Sequence, residues 1–395
     1  MSKSRPEKPL VAIACGGTGG HLFPGIAVAD KLVARRADVL LLISPKEVDQ
    51  QAVKSAIGME IAVLPAVGLT RGRVLQFIRG FSASYRAAKT RFRQRSPQAV
   101  LAMGGFTSAP PVFAGRSFGA ATFLHESNTI PGRANRLLAH FVNQVFVGFP
   151  GAAGRLCSAN VLATGTPVRP QFETVDPAAC RISLGLAADQ PVLLIMGGSQ
   201  GAAGINDLAL RALPELLGKV PNLQILHLSG ISEQAKVEAG YQNLKIKAVI
   251  RPFLTEMELA LGAATVAVSR AGASSLAELA AMRLPALLIP YPAAADNHQF
   301  YNAKAFVDSG AALMLEQRTS TPAQFAEAVR TLLQDKSLVL QMRGRLQELH
   351  RPDAAELIAQ KIMLLMEARG RWSPISSTTE RTLRSDLRHS QALTT

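Results

Sequence analysis

Four short segments carry the side chains with the clearest chemical use. The first is Gly16-Gly-Thr-Gly-Gly-His21, with Pro24 soon after. Its glycines let the backbone turn sharply and present N–H groups at a helix N-terminus, where an anion is favoured. His21 stands where an imidazole would face a crevice at the carboxyl ends of strands; a histidine that merely caps the helix is the alternative. The second is Gly197-Gly-Ser-Gln-Gly201, with Asn206 five residues on. It offers backbone donors and the Ser199 hydroxyl to a phosphate, although a tight structural turn has the same composition. In the third, Ser269-Arg-Ala-Gly-Ala-Ser-Ser-Leu-Ala-Glu278, small residues open a helix and place Glu278 about two turns into it. A carboxylate there can accept both hydroxyls of a ribose, or simply sit exposed on the helix. The fourth is the polar run Asp296-Asn-His-Gln299, then Asn302-Ala303, in a loop after an apolar strand. Loops so placed commonly read ligands, whereas a solvated helix start capped by Asp296 is the plainer reading.

Neither glycine loop is a dinucleotide fingerprint or a Walker loop: with Gly17 and Gly19 as the first two glycines of GxGxxG, Leu22 falls at the third. No HxH, HExxH or paired-carboxylate spacing points to a metal. The three cysteines, Cys15, Cys157 and Cys180, are odd in number and widely spaced, so neither a disulfide framework nor a cysteine zinc site is expected, and a reducing cytoplasm suits them.

Between 61 and 172 thirteen basic side chains face a single acid, Glu126, a local net of +12 within a chain of +15. That field would attract anionic lipid, nucleic acid or a polyphosphate. Within it Arg71, Arg73 and further arginines to Arg95 interleave with Val74, Leu75, Phe77, Ile78, Phe81 and Tyr85, whose spacing makes an apolar stripe on one helical face. Such a surface would dock on an anionic bilayer, or pack on its own domain with the arginines outside.

These residues need rigid elements behind them. Apolar runs at Val11–Ala14, Val39–Ile43, Ala99–Met103, Ala121–Leu124 and Val145–Val147, then Val192–Met196, Gln224–Leu228, Val266–Val268 and Ala286–Ile289, alternate with alanine-rich stretches. Continuous apolar strands between helices predict an α/β chain with parallel sheets covered on both faces. Each half begins with a strand running into a glycine turn and a helix, which predicts two Rossmann-like units. With 395 residues two domains are expected, residues 1–170 and 171–370, divided at Gly165-Thr-Pro-Val-Arg-Pro170, with 371–395 a disordered tail. At 48% hydrophobic and 18% charged residues the chain is globular, and no apolar run approaches the roughly 18 residues that cross a bilayer. The run Leu10–Cys15 is too short for a signal-peptide core and reads as a first strand.

The ordered series GGTGGHxxP (16–24), GGF (104–106), HESN (125–128), GTPVRP (165–170), GGSQGAxxxN (197–206), SRAGASSLAE (269–278) and DNHQxxNA (296–303) resembles the MurG family of bacterial cell-wall glycosyltransferases over roughly residues 9 to 368. The resemblance implies a GT-B fold, two Rossmann-like domains with parallel sheets facing a cleft, with a last helix near 352–368 that crosses back to the first. It implies inverting transfer of N-acetylglucosamine from UDP-N-acetylglucosamine to the C4 hydroxyl of the muramyl-pentapeptide of lipid I, giving lipid II, without a metal or other cofactor. His21 would be the base. Thr18, Gly19, Gly20 and Asn128 would meet the acceptor. Arg169, Ser199, Gln200 and Gly201 would meet the donor's phosphates, Asn206 would also bind the donor, Leu254 and Met257 would border its uracil, Glu278 would hold its ribose, and His298 and Gln299 would contact its sugar. The partners implied are UDP-N-acetylglucosamine, lipid I, an anionic membrane surface at the cytoplasmic face of the inner membrane, and a cell-wall or division complex.

Two positions depart from the family pattern. Phe106 stands where a tyrosine often follows the two glycines, so no phenolic role carries over. His298-Gln299 replaces the paired glutamines of some members. Three other classes compete. A nucleotide-dependent oxidoreductase should show an intact GxGxxG. A nucleic-acid-binding protein would explain the charge, but aromatic residues are only 5% and no recognition signature accompanies the basic run, so no nucleic-acid partner is expected. Another GT-B enzyme with a lipid acceptor, such as a diacylglycerol galactosyltransferase, is the nearer rival.

Overall fold

The computed structural model describes residues 8–17, 19–46, 50, 53, 56, 58–65, 74–172, 175–198 and 201–370. The expectations placed on Thr18, Arg71, Arg73, Ser199, Gln200 and the 371–395 tail lie outside the described residues.

Two parallel sheets form. The first contains β1 (Leu10–Ala14), β2 (Asp38–Ile43), β3 (Glu60–Val63), β4 (Ala99–Ala102), β5 (Ala121–Glu126), β6 (Gln144–Val147) and β7 (Val161–Ala163), in the order β3-β2-β1-β4-β5-β6-β7. The second contains β8 (Val192–Met196), β9 (Gln224–Leu228), β10 (Val249–Arg251), β11 (Val266–Ser269), β12 (Ala286–Leu288) and β13 (Leu313–Met314), in the order β10-β9-β8-β11-β12-β13. Every residue of β1 and β8 is buried, as expected where helices cover both faces of a sheet. Val11 pairs with Val39 on one side and Ala99 on the other; Leu193 pairs with Ile225 and Val266. Each half is therefore a Rossmann-like sheet whose strand order reverses beside its first strand.

The first half carries α1 (Gly19–Ala34), α2 (Val74–Gln94), α3 (Ala109–Ser117) and α4 (Arg133–Leu138). The second carries α5 (Pro177–Ser183), α6 (Ala203–Lys219), α7 (Gln234–Leu244), α8 (Met257–Ala263), α9 (Ala273–Ala281), α10 (His298–Asp308), α11 (Pro322–Gln334) and α12 (Lys336–Leu349). Local chemistry marks several starts. Asp176 accepts from Ala178 N at the head of α5, and Thr321 and Gln324 form a reciprocal capping box before α11.

A last helix, α13 (Ala354–Ala368), leaves the second half. Its Ile358, Ala359, Ile362 and Met366 join Leu22, Ile26 and Ala29 of α1 in the first core, and Arg35 pairs with Glu356 at its start. Truncating Ile362 to alanine would cost about 2–5 kcal/mol and loosen the strap between the halves. The chain passes from one core to the other after β7: Phe172, 1% exposed, already packs in the second.

Candidate active site

Both glycine loops follow the strand at which their sheet reverses, β1 between β2 and β4 and β8 between β9 and β11, which is where ligands bind in open α/β sheets. The halves touch at the first loop. Pro24 lies inside α1 and has no N–H to return to Gly20, so the Gly20 carbonyl lacks its helical partner. Ser274, in the first turn of α9, donates its hydroxyl to that oxygen at 2.8 Å. The proline of GGTGGHxxP thus leaves an acceptor that the second half fills. Around the same loop, Thr107 donates to Gly16 O at 2.8 Å and Lys46 to Gly17 O at 2.7 Å.

His21 lies against Gly104 and Gly105, whose φ angles are 110° and 79°. A Cβ on Gly104 would come within 3.2 Å of His21 Nε2, and one on Gly105 within 3.3 Å of Cε1. The two glycines of GGF make room for the imidazole. Asn135 on α4 fixes that loop: its Oδ1 accepts from Gly105 N at 3.2 Å and its Nδ2 donates to Glu126 Oε2 at 2.7 Å. Glu126, 2% exposed, also accepts from Asn128 N and Nδ2 at 2.8 and 3.0 Å and from Gly132 N at 2.9 Å. Four donors satisfy the buried carboxylate, so it organises the loop and is not a free base. His125 is fully buried; Gly165 O can only accept, so Nε2 donates to it at 3.0 Å, and Ser127 Oγ donates to Nδ1 at 3.2 Å. Burial holds its pKa below the usual value, in spite of opposing contributions from Gly165 and Glu126.

Arg169 is 6% exposed at the seam between the halves. Its guanidinium carbon lies 4.2 Å from the ring centre of Phe23 on α1 and 5.1 Å from that of Phe172. Nε and Nη2 are buried with no hydrogen-bond partner among the described residues, so two donors and a positive charge stand ready for an anion. Glu278 and Glu258 act on Arg169 electrostatically, yet neither forms an ion pair with it among the described contacts. Desolvation pushes the Glu278 carboxyl up to about 7; Arg169 opposes this and Glu258 adds to it. Leu254 and Met257 are partly buried on the second core below. Glu258, whose Oε2 is buried without a described partner, was not anticipated from sequence.

His298 opens α10 and its Nδ1 lies 2.8 Å from Ala295 O, while Gln299 Oε1 accepts from Tyr291 N at 2.9 Å. Asp296 does not cap this helix. Asp296 and Asn297 both adopt left-handed φ, 48° and 54°, and the Asp296 carboxylate receives Arg133 at 3.2 Å and Arg136 at 2.8 Å from α4 across the seam. Asn128 likewise faces inward and across: its amide nitrogen goes to Glu126 and its oxygen accepts from Asn302 Nδ2 at 3.0 Å, while Asn302 Oδ1 accepts from Thr129 N at 2.9 Å. Asn206 corrects an expectation. It is 1% exposed, donates to Ser229 O and faces His227, so its side chain supports the second loop from beneath and does not reach a ligand on its surface.

The stripe on α2 divides. Phe77, Phe81 and Tyr85 are half-buried, whereas Leu75 and Ile78 are 74% and 55% exposed; further along α2, outside the expected stripe, Ala88 and Phe92 are fully buried. Phe77, Phe81, Phe113 and Phe141 run in a chain of ring contacts of 6.2, 6.4 and 5.4 Å, and Leu137 on α4 is exposed. Among the described residues no helix is long and apolar enough to cross a membrane, and no cluster of three metal-ligating side chains occurs.

Models of the glycosyltransferase family 28 N-terminal and C-terminal domains match residues 11–147 and 192–358. The chain is 36% identical over 380 residues to the UDP-N-acetylglucosamine–N-acetylmuramyl-(pentapeptide) pyrophosphoryl-undecaprenol N-acetylglucosamine transferase of Anaeromyxobacter sp. (strain K), covering 93% of this chain and 96% of that protein. The like-named protein of Xanthomonas oryzae pv. oryzae (strain MAFF 311018) is 36% identical over 360 residues, 89% of this chain and 78% of that one. The crystal structure of Acinetobacter baumannii MurG superposes with a TM-score of 0.68 at 26% identity, covering 90% of this chain and 99% of that chain. Two parallel-sheet halves facing a seam, with a glycine loop at the reversal point of each, are a GT-B glycosyltransferase fold, and the chain belongs to glycosyltransferase family 28.

Proposed function

We propose that this chain transfers N-acetylglucosamine from UDP-N-acetylglucosamine to the C4 hydroxyl of the muramyl-pentapeptide carried on undecaprenyl diphosphate, forming lipid II. The observation that carries the reading is the seam itself: the loop bearing His21 meets the head of α9 through Ser274 and Gly20, while Arg169 stacks on Phe23 two residues beyond His21. The names of the relatives supply the substrate pair.

The chemistry follows from charge. The acceptor hydroxyl must lose its proton as it attacks the anomeric carbon, and His21 is the base assigned to it. UDP departs with growing negative charge; the unpartnered Nε and Nη2 of Arg169 and the uncapped head of α9 support the reading that these groups meet it. Glu278, as a carboxylate, accepts the ribose hydroxyls. On this reading these groups meet the leaving diphosphate without a metal, so we expect turnover in EDTA. One displacement at an α-linked donor gives a β(1→4) product. The +12 field and the exposed Leu75, Ile78 and Leu137 fit peripheral docking on an anionic membrane at its cytoplasmic face.

Incubating the protein with a lipid I analogue and radiolabelled UDP-N-acetylglucosamine tests the reading, with UDP-glucose, UDP-galactose and diacylglycerol as competitors. Label should pass to the lipid I analogue from that donor alone. Preferential galactosyl transfer to diacylglycerol would instead establish the rival GT-B reading.

A further inference from the structure

Beneath the second glycine loop, one buried polar side chain from each of three elements joins a single chain. Asn206 of α6, His227 of β9 and Tyr241 of α7 are all at most 2% exposed. Asn206 Nδ2 donates to Ser229 O at 3.0 Å, His227 Nε2 lies 3.0 Å from Asn206 Oδ1, and His227 Nδ1 lies 2.9 Å from the Tyr241 hydroxyl. With a neutral imidazole, only one proton arrangement satisfies all of them. A carbonyl oxygen only accepts, so the Asn206 amide turns its NH2 to Ser229 and its oxygen to His227. Nε2 must then carry the imidazole proton, Nδ1 accepts, and the Tyr241 O–H donates to it. Burial lowers the His227 pKa to about 4 and pushes the Tyr241 hydroxyl up, which keeps the neutral arrangement at cellular pH.

The chain ends at the turn against which Gly201 packs. Gly201 has a φ of 73°, and a Cβ there would lie 2.6 Å from Ser229 O and 2.7 Å from Gly230 Cα. The Ser229 and Gly230 amides donate to Arg251 O and Pro252 O at 3.0 Å each, so the same turn also anchors the segment leading to Leu254 and Met257. A displaced Ser229 carbonyl would move both. Fully satisfied buried networks rigidify what they touch, and partly satisfied ones do not.

We propose that Tyr241, His227 and Asn206 are positioning residues for the nucleotide donor, holding the Ser229–Gly230 turn against which Gly201 is seated. The inference rests on the UDP-sugar reading of that loop. Asn206→Ala removes the anchor and should weaken UDP binding about tenfold, with a similar rise in the donor KM, while kcat and the acceptor KM stay within about twofold. Tyr241→Phe removes the far end and should act in the same direction by about threefold.

Calorimetry with UDP on both variants, with steady-state kinetics, checks this. UDP affinity of Asn206→Ala within twofold of the parent protein overturns the proposal, as does a parallel rise in donor and acceptor KM. A parent protein that does not bind UDP overturns the donor reading and this inference with it. Nitrogen-15 NMR of the histidine-labelled parent protein is independent of any variant: His227 should carry its proton on Nε2, and a proton on Nδ1 contradicts the chain.

Discussion

The two halves share a topology and a glycine loop at the same topological position, yet they hold those loops by opposite means. The first loop is gripped at its rim by Thr107, Lys46 and, from the other half, Ser274. At the second, Gly201 packs on the Ser229–Gly230 turn, which the buried Asn206, His227 and Tyr241 hold from beneath. Charge divides in the same way: residues 61–172 carry +12, whereas residues 173–370 carry eighteen basic and nineteen acidic side chains, a net of −1. A lipid-linked diphosphate acceptor calls for a broad attractive field and an accessible loop. A soluble nucleotide calls for fixed donors in a shaped pocket. One fold meets both demands by changing what surrounds the loop.

The largest break in this division should come at His21. His21→Ala is expected to lower kcat by about 10²–10⁴ while leaving UDP binding unchanged, because the residue belongs to the first loop. Retained turnover with weakened UDP binding would place His21 on the wrong side. Glu278→Gln should lower donor kcat/KM by roughly 10-fold to 100-fold, since it loses charged acceptors for the ribose.

Glu278 also couples function to pH with two opposite signs. Its carboxyl is raised from 4.5 to about 7 in the folded protein. Protonation therefore favours folding: the contribution is complete below about 4.5 and lost as pH rises through about 7. Glu278→Gln should raise Tm at pH 8, by up to about 3 kcal/mol in stability, and leave it unchanged near pH 4. Donor affinity of the parent protein moves the other way, improving as pH rises through about 7 and the carboxylate forms. A donor KM flat between pH 6 and 8 would remove Glu278 from the ribose site.

Smaller effects sharpen the contrast at the surface. Leu75 and Ile78 project outward, so replacing both with serine should cost on the order of 1–3 kcal/mol of binding to anionic vesicles with little change in Tm. Phe77 and Phe81 are poorer probes, because they lie half-buried beside other rings. Least of all, Asp296→Asn should cost about 0.5–1 kcal/mol of thermal stability by releasing Arg133 and Arg136, an effect that salt should mask.

The centre of each sheet was readable because strands buried on both faces are continuously apolar. The edge strands β3, β7, β10 and β13 went unread: all are two to four residues long and partly exposed, so their sequences keep no such run. Motif glycines pointed to both loops, but not to what stands under or beside them. Asn135 lies nine residues from Glu126 and only the fold brings it to Gly105. Asn206 was visible as a motif position, but the direction of its side chain was not, since a helix residue facing the sheet and one facing the ligand have the same spacing in sequence. Likewise Asp296 reads as a helix cap until the left-handed backbone turns it towards α4.

The most direct measurement is the anomeric configuration and yield of product formed from UDP-N-acetylglucosamine and a lipid I analogue in the presence of EDTA, read by NMR. A single displacement assisted by His21, with the leaving diphosphate met by Arg169, predicts a β(1→4)-linked disaccharide at undiminished yield. An α-linked product, or transfer that stops on chelation, would contradict that account of how the two loops meet.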